Sequence, residues 1–183
     1  MILAGPGNNG NDGLIAASYL QQWGANVLVY LCGERLENDP YVEIVRQSKV
    51  KLVLSDEDKL CEKLRLHLSL SHVVVDAILG IGNNRPINGT FKQILEVVWE
   101  IRNSRDDISI VSIDVPSGMD ASTGEVDPSA LIADITIAMG YAKFGHVTYP
   151  GVDFVGRLVV IDIGIPEGLD EEIKVSLFDS VQI

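Results

Sequence analysis

Short apolar runs alternate along this chain with amphipathic stretches of about ten residues or more, a pattern that predicts an α/β fold built on a doubly wound, mainly parallel sheet. Parallel strands separated by helices are joined by right-handed crossovers, which lay helices on both faces in a three-layer α/β/α sandwich. The runs His72-Val73-Val74-Val75-Asp76 and Ser109-Ile110-Val111-Ser112-Ile113-Asp114 are apolar and end in a carboxylate, as buried strands leading to a polar edge would. A glycine-dense turn, Gly5-Pro6-Gly7-Asn8-Asn9-Gly10-Asn11-Asp12-Gly13, stands between the first apolar run and the first helical stretch. At 183 residues and 46% hydrophobic, the chain is expected to form a single domain over 1–183 with a core that needs no staples.

The elements follow in order. Ile2-Leu3-Ala4 is the first strand, and residues 14–20 after the glycine turn read as a helix. Residues 26–31 are apolar and β-branched, predicting a second strand. Asp39-Pro40 supplies an N-cap with proline at the first helical position, for a short helix to Ser48. Residues 50–54 form a strand, and Ser55 is expected to cap an amphipathic helix ending near His67. The run 72–76 is the fourth strand. Thr90-Phe91-Lys92-Gln93 has the form of a capping box, predicting a helix from there to about Asn103. Strands are further expected at 109–114, 135–138 and 158–161, with an edge strand at 175–178 in the acidic last twenty residues. The long irregular stretches, 80–89, 115–128 and 140–156, are where function concentrates in a compact domain.

Charge narrows the function. A formal net charge of −12 with no basic stripe argues against nucleic acid as a partner. Any phosphate ligand would have to be held by backbone N–H groups and a few placed cations against that field. No segment has the length of a membrane span, and the first four residues run straight into Gly-Pro without forming a signal peptide. Two cysteines, Cys32 and Cys61, make no disulfide framework, and a cytoplasmic location is expected. The three histidines, His67, His72 and His146, are scattered and read as structural.

The chemistry converges on one edge. Gly5, Gly7 and Gly10 satisfy G-x-G-x-x-G, which on its own serves equally as a tight turn needing positive φ or as an anion cradle at a helix N-terminus. The asparagines and aspartate among them tip the reading towards a ligand. Asn8, Asn9 and Asp12 follow the first strand, Asp76 ends the fourth, Asp114 ends the fifth, and Lys143 follows the sixth. In a parallel sheet these strand ends share one edge, and ligands bind there where the strand order reverses. Singly, Asp76 or Asp114 could simply cap a turn; together, beside an asparagine-rich loop, they favour a site. Around Asp114, Pro116 holds Val115 extended and Gly118 permits a sharp turn. Ser117 lacks a nucleophile elbow and a placed histidine, so a hydrogen-bonding or cation-ligand role fits it better. Asn9, Asp76 and Ser117 offer oxygens to a hard cation. In the second glycine-rich loop, Gly80-Ile81-Gly82-Asn83-Asn84-Arg85-Pro86, Arg85 is either a phosphate partner or a solvated loop cation.

With these motifs placed, the chain resembles the YjeF N-terminal domain family, the NAD(P)H-hydrate epimerases, over residues 2–166. The resemblance rests on residues 4–13, on Val75-Asp76-Ala77 through Pro86, on Ile113-Asp114-Val115-Pro116-Ser117-Gly118, and on Tyr149-Pro150-Gly151 leading to Asp162-Ile163-Gly164-Ile165-Pro166. It implies a Rossmann-like architecture and interconversion of the R and S forms of hydrated NADH and NADPH. A partner dehydratase, ADP- or ATP-dependent and specific for the S form, would then restore the cofactor. It also implies that Asn8, Asn9, Gly10, Asn11, Asp12, the loop Gly80, Ile81, Gly82, Asn83, Asn84, Arg85 and Pro86, and Asp114 contact the hydrated dinucleotide. By the same resemblance Asn9, Asp76 and Ser117 bind a potassium ion, and Lys143 matches a lysine near the site. The family usually has glycine where Asn11 stands. It also carries helical sequence before the first strand, which would cover a sheet face or join a homodimer interface. This chain begins at that strand, as a domain shortened at its N-terminus or cut from a bifunctional chain would. Asp114 is the expected proton-transfer residue, with Lys143 assisting. Two rival readings are an NAD(P)-dependent oxidoreductase, with Glu34 as the ribose acid, and a non-catalytic nucleotide-binding or protein-interaction module.

Overall fold

The structure, a computed structural model, describes residues 1–36, 38–82 and 86–166. Seven strands form one sheet: β1 (Ile2–Ala4), β2 (Leu28–Leu31), β3 (Lys51–Leu54), β4 (Val73–Ala77), β5 (Ser109–Ile113), β6 (Ile135–Met139) and β7 (Arg157–Ile161). Their order is β3-β2-β1-β4-β5-β6-β7, and every neighbouring pair is parallel. The first six strands thus have the doubly wound order whose direction reverses between β1 and β4. Leu3 stands beside Tyr30 on one side and Asp76 on the other, which fixes the register across the reversal.

The period of two in the strands divides the core between two faces. Ile2, Ala4, Val29 and Leu31 pack with Leu14 and Ala17 of α1 (Asn8–Gln22) and Val42 and Val45 of α2 (Pro40–Gln47). Leu3, Tyr30, Val53 and Val74 face the other way, against Leu64 and Leu68 of α3 (Glu62–Ser69) and Ile94, Leu95 and Val98 of α4 (Gly89–Ser104). Each fully buried Leu, Ile or Val contributes about 1.5–3 kcal/mol relative to exposure, so both helix layers are held by burial rather than by propensity. Two single-turn helices, α5 (Phe144–Val147) and α6 (Val152–Val155), lie within the stretch expected to be irregular. No helix among the described residues is long and apolar enough to cross a membrane.

Several local expectations need correction. The first helix begins at Asn8, not near Leu14, so the polar residues of the turn occupy its opening turns. The glycines there are not used for positive φ; none of Gly5, Gly7, Gly10 and Gly13 is among the left-handed residues. They serve close approach instead: a Cβ on Gly13 would fall 2.6 Å from the Ala77 Cβ. The second strand starts at Leu28. Ser55 caps nothing: residues Ser55–Glu57 form one 3-10 turn, its Oγ accepts the Gly33 N–H at 3.0 Å, and α3 begins only at Glu62. The Asp58 carboxylate takes the capping role, accepting from Lys63 and Leu64 N–H at 3.0 and 2.9 Å. The capping box at 90–93 does not form either, because Gly89 already lies in α4 and Asn88 precedes it without a side-chain cap. Asp39 does cap α2, accepting from Tyr41 and Val42 N–H, with Pro40 at the start. The strand expected at 175–178 lies outside the described residues.

Candidate functional site

Where β1 and β4 part, Gly7 ends the extended chain at φ −92° and α1 begins. The first main-chain bond back into the helix is Asn11 N–H to Gly7 O at 3.1 Å. The N–H groups ahead of it have no helical carbonyl to reach and, with the helix dipole, present positive potential outward. No side chain caps them and no acidic residue stands in the first turn. Residue 10 must be glycine, since a Cβ there would fall 1.8 Å from Gly5 O. An N-terminus left open in this way is suited to an anion.

Beneath this turn lies a residue the sequence did not single out. The Arg35 side chain, only 5% exposed, donates to Asn11 Oδ1 at 2.8 Å, to Asp39 Oδ2 at 2.7 Å and to Gly5 O. It ties the end of β1, the first turn of α1 and the cap of α2 into one unit. The departure from glycine at position 11 is thereby accounted for, because the asparagine oxygen takes one of the guanidinium bonds. Glu34, the candidate ribose acid, is exposed. The i,i+4 spacing of Arg35 and Asp39 was the available signal, although it does not say that the pair turns inward.

A second group gathers at the ends of β4 and β5. Asp76 is fully buried and accepts from Ser112 Oγ at 3.0 Å, from Ser117 N–H at 2.7 Å and Oγ–H, and from Ile78 N–H at 3.3 Å. Burial pushes its carboxyl pKa up, and those hydrogen bonds oppose the rise. Among the described residues no cationic side chain pairs with it. Ser117 Oγ also accepts the Leu79 N–H at 2.9 Å, and Asn9 Nδ2 donates to Leu79 O at 2.9 Å. Asn9 Oδ1 is buried with no hydrogen-bond partner. An unsatisfied amide oxygen, a hydroxyl and a buried carboxylate without a cationic partner are thus linked through Leu79 and Ser117, and oxygens of this kind could hold a hard cation. No three His, Cys, Asp or Glu side chains gather as a metal-ligand set among the described residues, so a cation here would rest on mixed oxygens.

The third group is the pair Asp114 and Lys143. Asp114 follows β5 in the left-handed region at φ 63° and donates its N–H to Ile137 O at 2.8 Å, so β6 holds it in place. Its Oδ1 accepts from Met139 N–H at 3.0 Å and from Lys143 Nζ, which also donates to Met139 O at 2.9 Å. The two side chains are 16% and 19% exposed, enough to reach a ligand while largely shielded from water. Asp12, exposed on α1, has its carboxyl pKa raised first by desolvation and then by the Asp114 charge.

The remaining predicted positions divide. Gly80 is half-buried, and a Cβ there would lie 3.1 Å from the Asn9 Cβ, which keeps this loop against α1. Ile81, Gly82 and Pro86 are exposed at its rim. The following loop is fastened to it, Ile87 N–H donating to Asp127 Oδ2 at 2.9 Å. Asn83, Asn84 and Arg85 lie outside the described residues. One edge of the sheet therefore carries an open helix N-terminus, a cation-suited oxygen cluster and a carboxylate–ammonium pair capable of acid–base work.

The bifunctional NAD(P)H-hydrate repair enzyme Nnr of Thermofilum pendens is 36% identical to this chain, over 100% of this chain and 35% of that protein. The NAD(P)H-hydrate epimerase of Levilactobacillus brevis is 33% identical, over 90% of this chain and 72% of that protein. The crystal structure of yeast ynu0 superposes with a TM-score of 0.76 at 26% identity, covering 99% of this chain and 73% of the yeast one. The chain spans about a third of the length of the bifunctional relatives it matches. The family described as YjeF-related protein N-terminus matches residues 1–145, and the chain belongs to that family.

Proposed function

We propose that this chain is an NAD(P)H-hydrate epimerase, an isomerase that interconverts the R and S forms of hydrated NADH and NADPH in cofactor repair. The observation that carries the reading is the Asp114–Lys143 pair, set at the sheet edge beside the uncapped N-terminus of α1. The names of the relatives support it. The reacting carbon, C6 of the hydrated nicotinamide, bears a hydroxyl and the ring nitrogen. A proton from the Asp114–Lys143 pair passes to the departing oxygen, the C6–O bond breaks, and the nitrogen lone pair forms an iminium as water leaves. Water then adds at the opposite face and returns a proton to the pair, so composition is unchanged and only the configuration inverts. Asp114 is the proton-transfer residue and Lys143 stabilises the charge that moves through it. The N–H groups of Asn8, Asn9 and Gly10, with Asn11 and Asp12, hold the dinucleotide, and residues from Gly80 to Pro86 contact it.

Asn9, Asp76 and Ser117 hold a potassium ion in this reading, the unpartnered Asn9 Oδ1 and the buried carboxylate being what supports it. The ion supplies a fixed positive charge beside the anionic ligand. The functional partner is an ADP- or ATP-dependent dehydratase, fused or separate. The chain acts as one epimerase domain, with a homodimer as its assembly. Two buried free cysteines suit the cytoplasm. The oxidoreductase alternative is weakened because the residue that reaches the glycine turn after β2 is Arg35 rather than an acid.

The test is to incubate the protein with the R hydrate and an S-specific dehydratase and to follow the return of NADH absorbance. NADH should return faster than with dehydratase alone, and replacing potassium with tetramethylammonium should slow it. An unchanged rate on adding the folded protein rejects the epimerase assignment, and indifference to the cation rejects the potassium site.

A further inference from the structure

His146 lies one helical turn beyond Lys143 and is 2% exposed. Its Nδ1 accepts the Lys143 main-chain N–H at 3.1 Å, and its own N–H donates to Lys143 O at 3.0 Å. A ring nitrogen that accepts carries no proton, so the neutral imidazole has its hydrogen on Nε2. Nε2 is buried with no hydrogen-bond partner. The turn that carries the ring has little freedom to move. Gly145 N–H donates to Ala121 O at 2.7 Å, and a Cβ on Gly145 would fall 2.4 Å from Asp120 O. Lys143 is thus fixed at its main chain by the imidazole and at its Nζ by Asp114 and Met139 O.

We propose that His146 is a positioning residue which, as the neutral Nε2–H tautomer, sets the Lys143 main chain so that its ammonium meets Asp114. The proposal rests on the reading of Asp114 and Lys143 as the reacting pair. The charged groups facing the ring are Lys143, from its own turn, and Asp114, from the end of β5. Asp120, in the loop against which α5 packs, directs its carboxylate to Ser122 and Thr123 N–H instead. Burial first, and the Lys143 charge next, hold the ring pKa below its ordinary 6.5, while Asp114 pulls the other way. The neutral form therefore prevails at pH 7. Protonation would set a second N–H against that of Lys143 and remove its acceptor. Because the folded value is the lower one, the stability contributed is complete above about pH 6.5 and declines as the pH falls towards the folded value.

The experiment combines tautomer spectroscopy with two variants. Long-range ¹H–¹⁵N correlation on the histidine rings of the whole chain should show His146 as a neutral Nε2–H tautomer at pH 6.5. An Nδ1–H tautomer or an imidazolium there overturns the proposal whatever the protein's activity. His146→Leu fills the space without an acceptor. It should speed exchange of the Lys143 amide hydrogen and lower kcat about 10–100-fold with KM little changed, as misplacement of a reacting group does. His146→Asn, which restores an oxygen acceptor, should recover most of both. If His146→Leu does not fold, the Asn variant decides, and unprotected Lys143 exchange with full activity there rejects the role. Wild-type kcat in a folded His146→Leu protein also rejects it. Failure of the underlying reading shows separately, as full turnover in Asp114→Ala.

Discussion

Asp114 combines three properties that seldom coincide in an aspartate placed only to cap a turn. Its backbone sits in the left-handed region, a conformation that costs a non-glycine residue about 1–2 kcal/mol, although Asp tolerates it better than most. Its N–H is anchored on β6 through Ile137 O, and its carboxylate is held by Met139 N–H and Lys143. Such an arrangement aims the remaining oxygen rather than merely burying it. Asp114→Ala should lower epimerase turnover about 10²- to 10⁴-fold, the range of a general acid–base group, with a smaller loss of ligand affinity. Lys143→Ala should lower turnover less. Steady-state kinetics with the coupled dehydratase, beside a thermal melt to establish folding, checks both. Asp76 and Asp114 were legible in the sequence because each interrupts an apolar run at a strand end, where the topology sends side chains to the ligand edge. Arg35 was not, since spacing alone cannot tell a loop cation that turns inward from one left in water, and His146 was legible as structural but not as the acceptor for the Lys143 main chain.

At the scale of the element, α1 gives up stability at its N-terminus. Ser, Thr, Asp or Asn at the cap position would satisfy its N–H groups, yet Gly7 stands there with open space around its absent Cβ. The contrast with α2, capped by Asp39, argues that the groups of α1 are reserved for a ligand. Gly7→Ser should therefore raise the melting temperature slightly, by a few tenths of a kcal/mol of cap energy, while weakening dinucleotide binding. Gly10→Ala should weaken binding and destabilise as well, because the added methyl meets the Gly5 carbonyl rather than a movable side chain. Thermal melts paired with calorimetric titration of NADPH separate the two outcomes. A Gly7→Ser protein that binds as tightly as the wild type removes the anion role from the helix. Element boundaries were the less legible part of the sequence for a related reason. Caps depend on which of several nearby oxygens arrives, and at α3 Asp58 arrived in place of Ser55. Asp39-Pro40 was readable because proline fixes the start independently of the side chain.

Over the whole molecule, strand order and charge act together. The alternation of runs was sufficient for the parallel sheet, whereas the pairing of β1 with β4 was seen only in the structure, because right-handed crossovers fix the hand of each connection but not the strand order. That topology brings the open helix end, the oxygen cluster and the Asp114–Lys143 pair to a single edge of a chain whose net charge is −12. An anionic dinucleotide, the ligand proposed above, would approach this molecule against its mean field and be attracted only within reach of the local donors. Screening therefore acts oppositely to its effect on a nucleic-acid-binding protein, where salt competes for phosphate contacts. At about 0.01 M ionic strength the Debye length is about 30 Å, so most of the surface charge repels the ligand; at about 0.15 M it is about 8 Å, and only groups beside the site are felt. With potassium held constant and ionic strength varied by tetramethylammonium chloride, the association rate for NADPH should rise over that range. The dissociation rate should change less, because short-range N–H contacts are little affected by screening. Stopped-flow fluorescence of the bound nicotinamide measures both rates. An association rate that instead falls with salt would mean that a basic surface steers the ligand, and the site would have to be sought away from the backbone N–H groups of α1.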